Sequence, residues 1–211
     1  MSLVVLLHGL GDNPTVWQEQ VTRLPAGTHA VAPWIAGLRP GRSDRFDPGL
    51  AADDVLGQLN VFGEDEMAIV GAGLGAAVAL ATAARSPENV SHLVVTAPPP
   101  RVSGMGRAVQ KLTARALPRG RLANAGIDKD RLLSAIDTVG RLDLRADCGK
   151  VQARTLVLLG AEDQLNTRAA REWADLIPGA TLELIPHAGV APHVENPDAF
   201  NDALYGFLAA E

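Results

Sequence analysis

Cysteine, lysine and aromatic residues are scarce in this sequence, and the scarcity limits what the chain can be. Cys148 is its one cysteine, so no disulfide can form within the chain, and a reducing, cytoplasmic compartment is expected. No apolar run approaches the roughly 20 residues that cross a bilayer. Residues 1–7 lack the charged region and cleavage site of a signal peptide and are typical of a strand. We therefore expect no membrane segment.

Lysine supplies only three of the 19 basic residues, and the net charge of −5 argues against nonspecific nucleic-acid binding. Residues 101–150 are an exception, because they carry 11 basic and five acidic residues. Arg107, Lys111 and Arg115 recur there every four residues, which predicts a basic helix face. That face is either a solvated surface or a contact for an anionic ligand, a protein partner or a second copy of the chain.

What the sequence does contain is an alternation of short apolar segments and helical patterns. Strands are predicted at 3–7, 29–34, 67–71, 92–96, 155–160 and 181–185. Helices are predicted at 18–24, 51–62, 74–85, 167–176 and 197–209. This order is typical of an α/β fold with a doubly wound, mostly parallel sheet of about six strands. The length of 211 residues suits one domain.

A long segment between the fourth and fifth predicted strands interrupts the alternation. It opens with Pro98-Pro99-Pro100 and holds helical patterns, with Met105, Val109, Leu112 and Ala116 on one expected apolar face. We interpret residues 98–153, approximately, as a short helical cap over the carboxyl edge of the sheet. Ligand sites of α/β proteins lie at that edge.

Short motifs follow five of the predicted strands. They are His8-Gly9-Leu10-Gly11-Asp12, Gly41-Arg42-Ser43-Asp44, Gly71-Ala72-Gly73-Leu74-Gly75, Gly160-Ala161-Glu162-Asp163, and Pro186-His187-Ala188-Gly189-Val190 followed by Pro192-His193-Val194-Glu195-Asn196-Pro197. In this order, they resemble the α/β-hydrolase superfamily, in particular its small esterases, lactonases and cofactor-free haloperoxidase-like members. The family sheet usually has two further strands before the first motif, so the resemblance implies a sheet trimmed at its N-terminus.

The resemblance also implies a catalytic site. In the family, a serine on a sharp strand-to-helix turn is activated by a histidine, which an aspartate orients. Asp163 matches the position of that aspartate, although a loop-capping role is the alternative. His8 and Gly9 belong to the first loop of the site, and the backbone N–H groups of Leu10 and Leu74 match the oxyanion donors.

Two positions depart from the family pattern. Gly73 stands where the nucleophilic serine belongs, and Val190 stands where the histidine belongs. Glycine has no side chain to acylate, and valine cannot accept a proton. We therefore expect no ordinary serine-hydrolase activity, and whether the chain is an enzyme stays open. The expected role is binding of a small ester- or carbonyl-containing ligand, or of a protein partner, with no cofactor and no metal.

Three alternatives remain open from the residues. A non-hydrolytic enzyme would use the oxyanion donors with Asp163 and a nearby histidine, either His187 or His193. A weak esterase would use a relocated nucleophile, for which the candidates are Ser43, a turn residue, and Ser103, a residue that suits a helix cap. A dinucleotide site would use Gly71-x-Gly73 after a strand, although no acidic residue follows the next strand.

Overall fold

A six-stranded sheet forms the centre of the structure, a computed structural model that describes residues 2–42, 44–96, 112, 114–116, 118, 120 and 128–210. All neighbouring strands are parallel, in the order β2-β1-β3-β4-β5-β6. The strands are β1 Ser2–Leu7, β2 Thr28–Val31, β3 Met67–Ala72, β4 Val90–Thr96, β5 Arg154–Gly160 and β6 Thr181–Ile185. The prediction of a mostly parallel, doubly wound sheet of about six strands is confirmed.

Burial explains why these segments are strands. Every residue of β3 is buried, as are all residues of β5 after its first, because helices cover both faces of a parallel sheet. The second strand is shorter than predicted and ends at Val31. Pro33 follows closely and has no N–H to donate to a neighbouring strand.

Eight α-helices lie within the described ranges. They are α1 Gln18–Thr22, α2 Pro48–Phe62, α3 Leu74–Arg85, α4 Lys129–Val139, α5 Arg145–Cys148, α6 Thr167–Leu176, α7 Pro192–Glu195 and α8 Pro197–Ala209. Side-chain caps fix several starts: Asp47 accepts from the Leu50 amide, Asp128 from Arg131 and Asn196 from Ala199. None of the helices in the described part of the chain is long and apolar enough to cross a membrane.

The core has one apolar cluster on each face of the sheet. Leu3, Val5 and Leu7 of β1 point into the larger cluster, with residues of α2, α3 and α6. Val4 and Leu6 point to the other face, where Trp17 and Phe200 are packed. Alternate residues of a strand face opposite sides, so this division follows from the sequence of β1 itself. Because the core lies against the two faces of the sheet, a site can form from the loops at its carboxyl edge.

Part of the predicted cap lies in the described residues. Ala114, Leu132 and Ile136 form a small apolar cluster against which Leu10 packs, so α4 lies over the first loop of the site. The predicted apolar face is wrong at Leu112 and Ala116, which are exposed, whereas Ala114 between them is buried. Met105, Val109, Arg107 and Lys111 lie outside the described residues. The bounds of the cap therefore stay a prediction.

Candidate ligand site at the strand-to-helix elbow

The chain turns sharply between β3 and α3, and residues 71–75 are called the elbow here. Gly73 is the pivot, with φ 57° and ψ −116°, a backbone conformation that side chains other than glycine rarely adopt. Its N–H donates to the carbonyl oxygen of Thr96 at 3.1 Å, which ties the elbow to the end of β4. Gly73 is therefore the residue of this tight turn whose backbone conformation favours glycine.

The two flanking glycines are required by close backbone packing. A Cβ on Gly71 would lie 2.5 Å from the carbonyl oxygen of Gly75. A Cβ on Gly75 would lie 2.1 Å from the carbonyl oxygen of Leu7, because the start of α3 presses against the end of β1. The turn and this packing account for Gly71, Gly73 and Gly75, so a dinucleotide is not needed to explain the pattern.

The side-chain position of Gly73 faces the loop that follows β1. A Cβ built there would lie 3.4 Å from Cα of Gly9 and 3.9 Å from the backbone nitrogen of Leu10, distances that leave room for a side chain. Within the described part of the chain, no acceptor is bonded to the N–H of Leu10 or of Leu74. Leu74 is also the first residue of α3, where helix amides point outward. These two amides can donate hydrogen bonds to a carbonyl oxygen.

His8 holds the loop after β1 in place. Its ring is fully buried, and Nε2 accepts from the Ile35 amide at 3.3 Å. Nδ1 therefore carries the proton and donates to the carbonyl oxygen of Gly9 at 2.9 Å. Burial lowers the pKa of His8, and the hydrogen bond to Gly9 opposes that shift only in part. The ring also meets Trp34 edge to face at 5.3 Å. These two hydrogen bonds fix the neutral ring of His8 in the loop, and its predicted place in the ligand site stays a prediction.

Asp12 is a polar group of this loop that sequence reasoning missed. Oδ2 of Asp12 would lie 2.5 Å from a Cβ on Gly9, so the carboxylate occupies the space that a side chain at residue 9 would need. Burial raises the pKa of Asp12. The carboxylate also borders a small cavity of about 20 Å³, which has room for about one water molecule. Leu10, Trp34, Leu38, Arg131 and Leu132 are among the other residues that line this cavity.

The carboxylate of Asp163 forms hydrogen bonds within its own loop. Oδ1 accepts from the amides of Leu165 at 3.1 Å and Asn166 at 3.0 Å, and Oδ2 accepts from Nδ2 of Asn166 at 2.7 Å. The carboxylate is buried and stabilises the turn that leads into α6. None of the five histidines, all of which are described, hydrogen-bonds to it. The role of triad acid stays a prediction.

The loop that carries Val190 is held by Glu195. The carboxylate accepts from the amide of Gly189 at 2.6 Å through one oxygen and from the amide of Ala191 at 2.9 Å through the other. These two donors lower the pKa of Glu195. Val190 lies between them with 58% of its surface exposed, so the residue for which the resemblance implies a histidine is an exposed position of a hydrogen-bonded loop.

His187 and His193 occupy structural positions. His187 is an exposed turn residue with φ 53°. His193 is buried, and its ring stacks on Trp17 with centroids 4.3 Å apart. Neither ring nitrogen of His193 has a hydrogen-bond partner among the described residues, and burial lowers its pKa to about 4. Among the described residues, neither histidine is hydrogen-bonded to Asp163.

Two further expectations concern nucleophiles and metals. Ser43 and Ser103, the candidates for a relocated nucleophile, lie outside the described residues. Among the residues that are described, no group of three or more histidine, cysteine or acidic side chains could hold a metal ion. The site therefore rests on the elbow, the loop after β1 and the loop held by Glu195.

Comparison with known proteins agrees with this geometry. A sequence profile described as the alpha/beta hydrolase family matches residues 4–203. The pimeloyl-(acyl-carrier protein) methyl ester esterase of Aromatoleum aromaticum is 27% identical over an alignment 240 residues long. The alignment covers 92% of this chain and 93% of that protein. The enzyme of the same name from Neisseria meningitidis serogroup B is 28% identical over 243 residues, with 96% and 90% covered.

The structural comparison bears on the fold alone. The enol-lactonase from Burkholderia xenovorans LB400 superposes with a TM-score of 0.86 at 20% identity, covering 99% of this chain and 92% of that one. The chain has a parallel sheet, a glycine elbow after β3 and a profile match over most of its length. The chain belongs to the alpha/beta hydrolase family.

Proposed function

We propose that this protein binds a small carbonyl-containing ligand at the elbow and does not turn it over by the serine-hydrolase route. One observation carries the proposal. The place where a nucleophile would stand is a glycine, and the amide of Leu10 next to it, like that of Leu74, has no acceptor among the described residues. Such donors favour an incoming oxygen.

The argument against ordinary hydrolysis is chemical. An acyl-enzyme needs a side-chain oxygen or sulfur at residue 73, and a proton acceptor is needed at residue 190. Gly73 and Val190 supply neither. The carboxylate of Asp163, the remaining triad position, accepts hydrogen bonds from the amides of Leu165 and Asn166.

The argument for binding is energetic. An N–H group at the start of a helix gains from an acceptor, because the helix dipole adds to the hydrogen bond. Close packing at Gly71 and Gly75 keeps the elbow fixed, so little conformational entropy is lost when a ligand binds. The named relatives are methyl ester esterases, whose substrates carry a carbonyl group, and this similarity supports the same ligand chemistry.

The non-hydrolytic enzyme has no comparable support. It needs Asp163 to act with a histidine, and neither His187 nor His193 forms a hydrogen bond or ion pair with Asp163 among the described residues. A partner at the basic face stays a prediction, since Arg107 and Lys111 lie outside the described residues and Arg115 is exposed.

The test is a titration of the ¹⁵N-labelled protein with acetophenone, followed by amide NMR. We expect the Leu10 and Leu74 resonances to shift together and saturably. The amide of Gly189, already bonded to Glu195, is the internal control and should not move. Saturable shifts confined to other regions, or none at all, would overturn the proposal.

A further inference from the structure

Asp12 gives the elbow a feature that simple carbonyl binding does not use. Its Oδ2 contacts Gly9 at the place where a Cβ would be, and the side-chain position of Gly73 lies 3.4 Å from Cα of that same glycine. A carboxylate and the open nucleophile position therefore meet at one residue. The amide nitrogen of Leu10, the residue after Gly9, lies 3.9 Å from the side-chain position of Gly73.

The carboxylate of Asp12 is available to a ligand. No side chain or backbone amide in the described residues donates to it. Of the two charged neighbours at the cavity, Arg131 donates through Nη1 to the carbonyl oxygen of Arg39 at 2.6 Å, and Asp128 accepts from the Arg131 amide at 2.8 Å. Asp12 is also exposed, so a ligand can reach its carboxylate.

We propose that Asp12 makes the site selective for carbonyl ligands that also carry N–H groups, a carboxamide being the simplest. The carbonyl oxygen would accept from the amides of Leu10 and Leu74, and an N–H of the same ligand would donate to Asp12. This inference rests on the proposed function, since it assigns the second half of the ligand that the elbow binds.

The charge of Asp12 favours a neutral amide over a reacting ester. A tetrahedral intermediate places a negative charge on the oxygen that faces Leu10 and Leu74. A carboxylate at the neighbouring Gly9 repels that charge, whereas it attracts the positive end of an N–H bond. Asp12 therefore opposes the oxyanion and stabilises a bound carboxamide, which agrees with binding rather than turnover.

The experiment compares benzamide with acetophenone, two ligands of matched size in which an NH₂ group replaces a methyl group. Dissociation constants come from the shifts of the Leu10 and Leu74 amides in the wild type and in Asp12→Ala. A charge-assisted hydrogen bond predicts about tenfold tighter binding of benzamide to the wild type. Asp12→Ala should reduce this ratio to about one.

The matched control is Asp175→Ala, which removes an exposed aspartate from α6, and it should keep the wild-type ratio. Equal binding of the two ligands to the wild type, or a preference that survives Asp12→Ala, would overturn the inference and leave the proposed function standing. If neither ligand shifts Leu10 and Leu74, the proposed function itself fails, and the two failures are distinguishable.

Discussion

The side-chain position of Gly73 lies 3.9 Å from the backbone nitrogen of Leu10. The proposed site needs the position of residue 73 and a backbone donor of the loop after β1 to be neighbours, and this distance fits that requirement. The loop after β1 is fixed by His8 and the elbow by Gly71 and Gly75, and both remain in place. We propose that the site lacks reactive side chains at residues 73 and 190 and retains its backbone donors.

Restoring both missing side chains tests this relationship. The double variant Gly73→Ser with Val190→His should hydrolyse p-nitrophenyl acetate at least about tenfold faster than the wild type, because nucleophile and base act as a unit. Each single variant should stay near the wild-type rate. Gly73→Ala with Val190→His controls for altered packing. A folded double variant without activity would mean that the elbow or the Val190 loop does not match the family positions.

Glycine at residue 73 should stabilise the fold. Gly73→Ala meets no backbone clash, so its effect isolates the strain at φ 57°, which costs about 1–3 kcal/mol of unfolding free energy. Gly206→Ala is the matched control, since it lies in α8 with open space around its Cβ and should gain about 0.5–1 kcal/mol. Denaturant unfolding measures both. An unchanged or higher stability of Gly73→Ala would contradict the strain.

Asp163 should matter for stability more than for binding. Asp163→Ala leaves the amides of Leu165 and Asn166 without their acceptor and should cost about 1–3 kcal/mol. Asp163→Asn keeps an acceptor oxygen and should cost less. Acetophenone should bind both variants as it binds the wild type. Lost binding in a variant of unchanged stability would instead place Asp163 in the ligand site.

The strands and most helices could be predicted from the sequence because their burial and caps are local properties. β6, α3, α6 and α8 have the predicted bounds, and apolar runs mark the remaining strands. The elbow was also predictable, since Gly71, Gly73 and Gly75 follow a buried strand. The apolar face expected at Leu112 and Ala116 was wrong, because helical spacing does not reveal which side meets Leu132 and Ile136.

The contacts of polar side chains could not be predicted in the same way. Spacing identifies Asp163 as a candidate acid, but its bonds depend on the turn that brings Leu165 and Asn166 back to it. Asp12 was not singled out, because its approach to Gly9 is set by a turn in which the Asp12 amide donates to the Gly9 carbonyl at 3.2 Å. Loop conformation decides such contacts, and composition does not encode it.

Stability should fall in mild acid because of His193. Its pKa is lowered to about 4 in the folded protein by burial, whereas an unfolded histidine titrates near 6.5. Between these values the unfolded chain binds a proton that the folded chain does not. The contribution of His193 to the unfolding free energy should therefore decline by at most about 3 kcal/mol from pH 6.5 to pH 4 and change little below.

His193→Phe keeps a ring against Trp17 and removes this titration, so its stability should decline less over the same window. The remaining decline would include His8, whose pKa is also lowered by burial. His187→Asn, at an exposed turn, should keep the wild-type pH dependence. An equal decline in His193→Phe and the wild type would contradict the assignment.

The absence of a nucleophile is the central claim, and the intact mass after incubation with a fluorophosphonate measures it most directly. The reagent reacts preferentially with an activated serine, and the double variant Gly73→Ser with Val190→His serves as the positive control. We predict that the wild type keeps its unmodified mass under conditions that label the double variant. A wild-type adduct located at Ser43, Ser103 or any other serine would contradict the account.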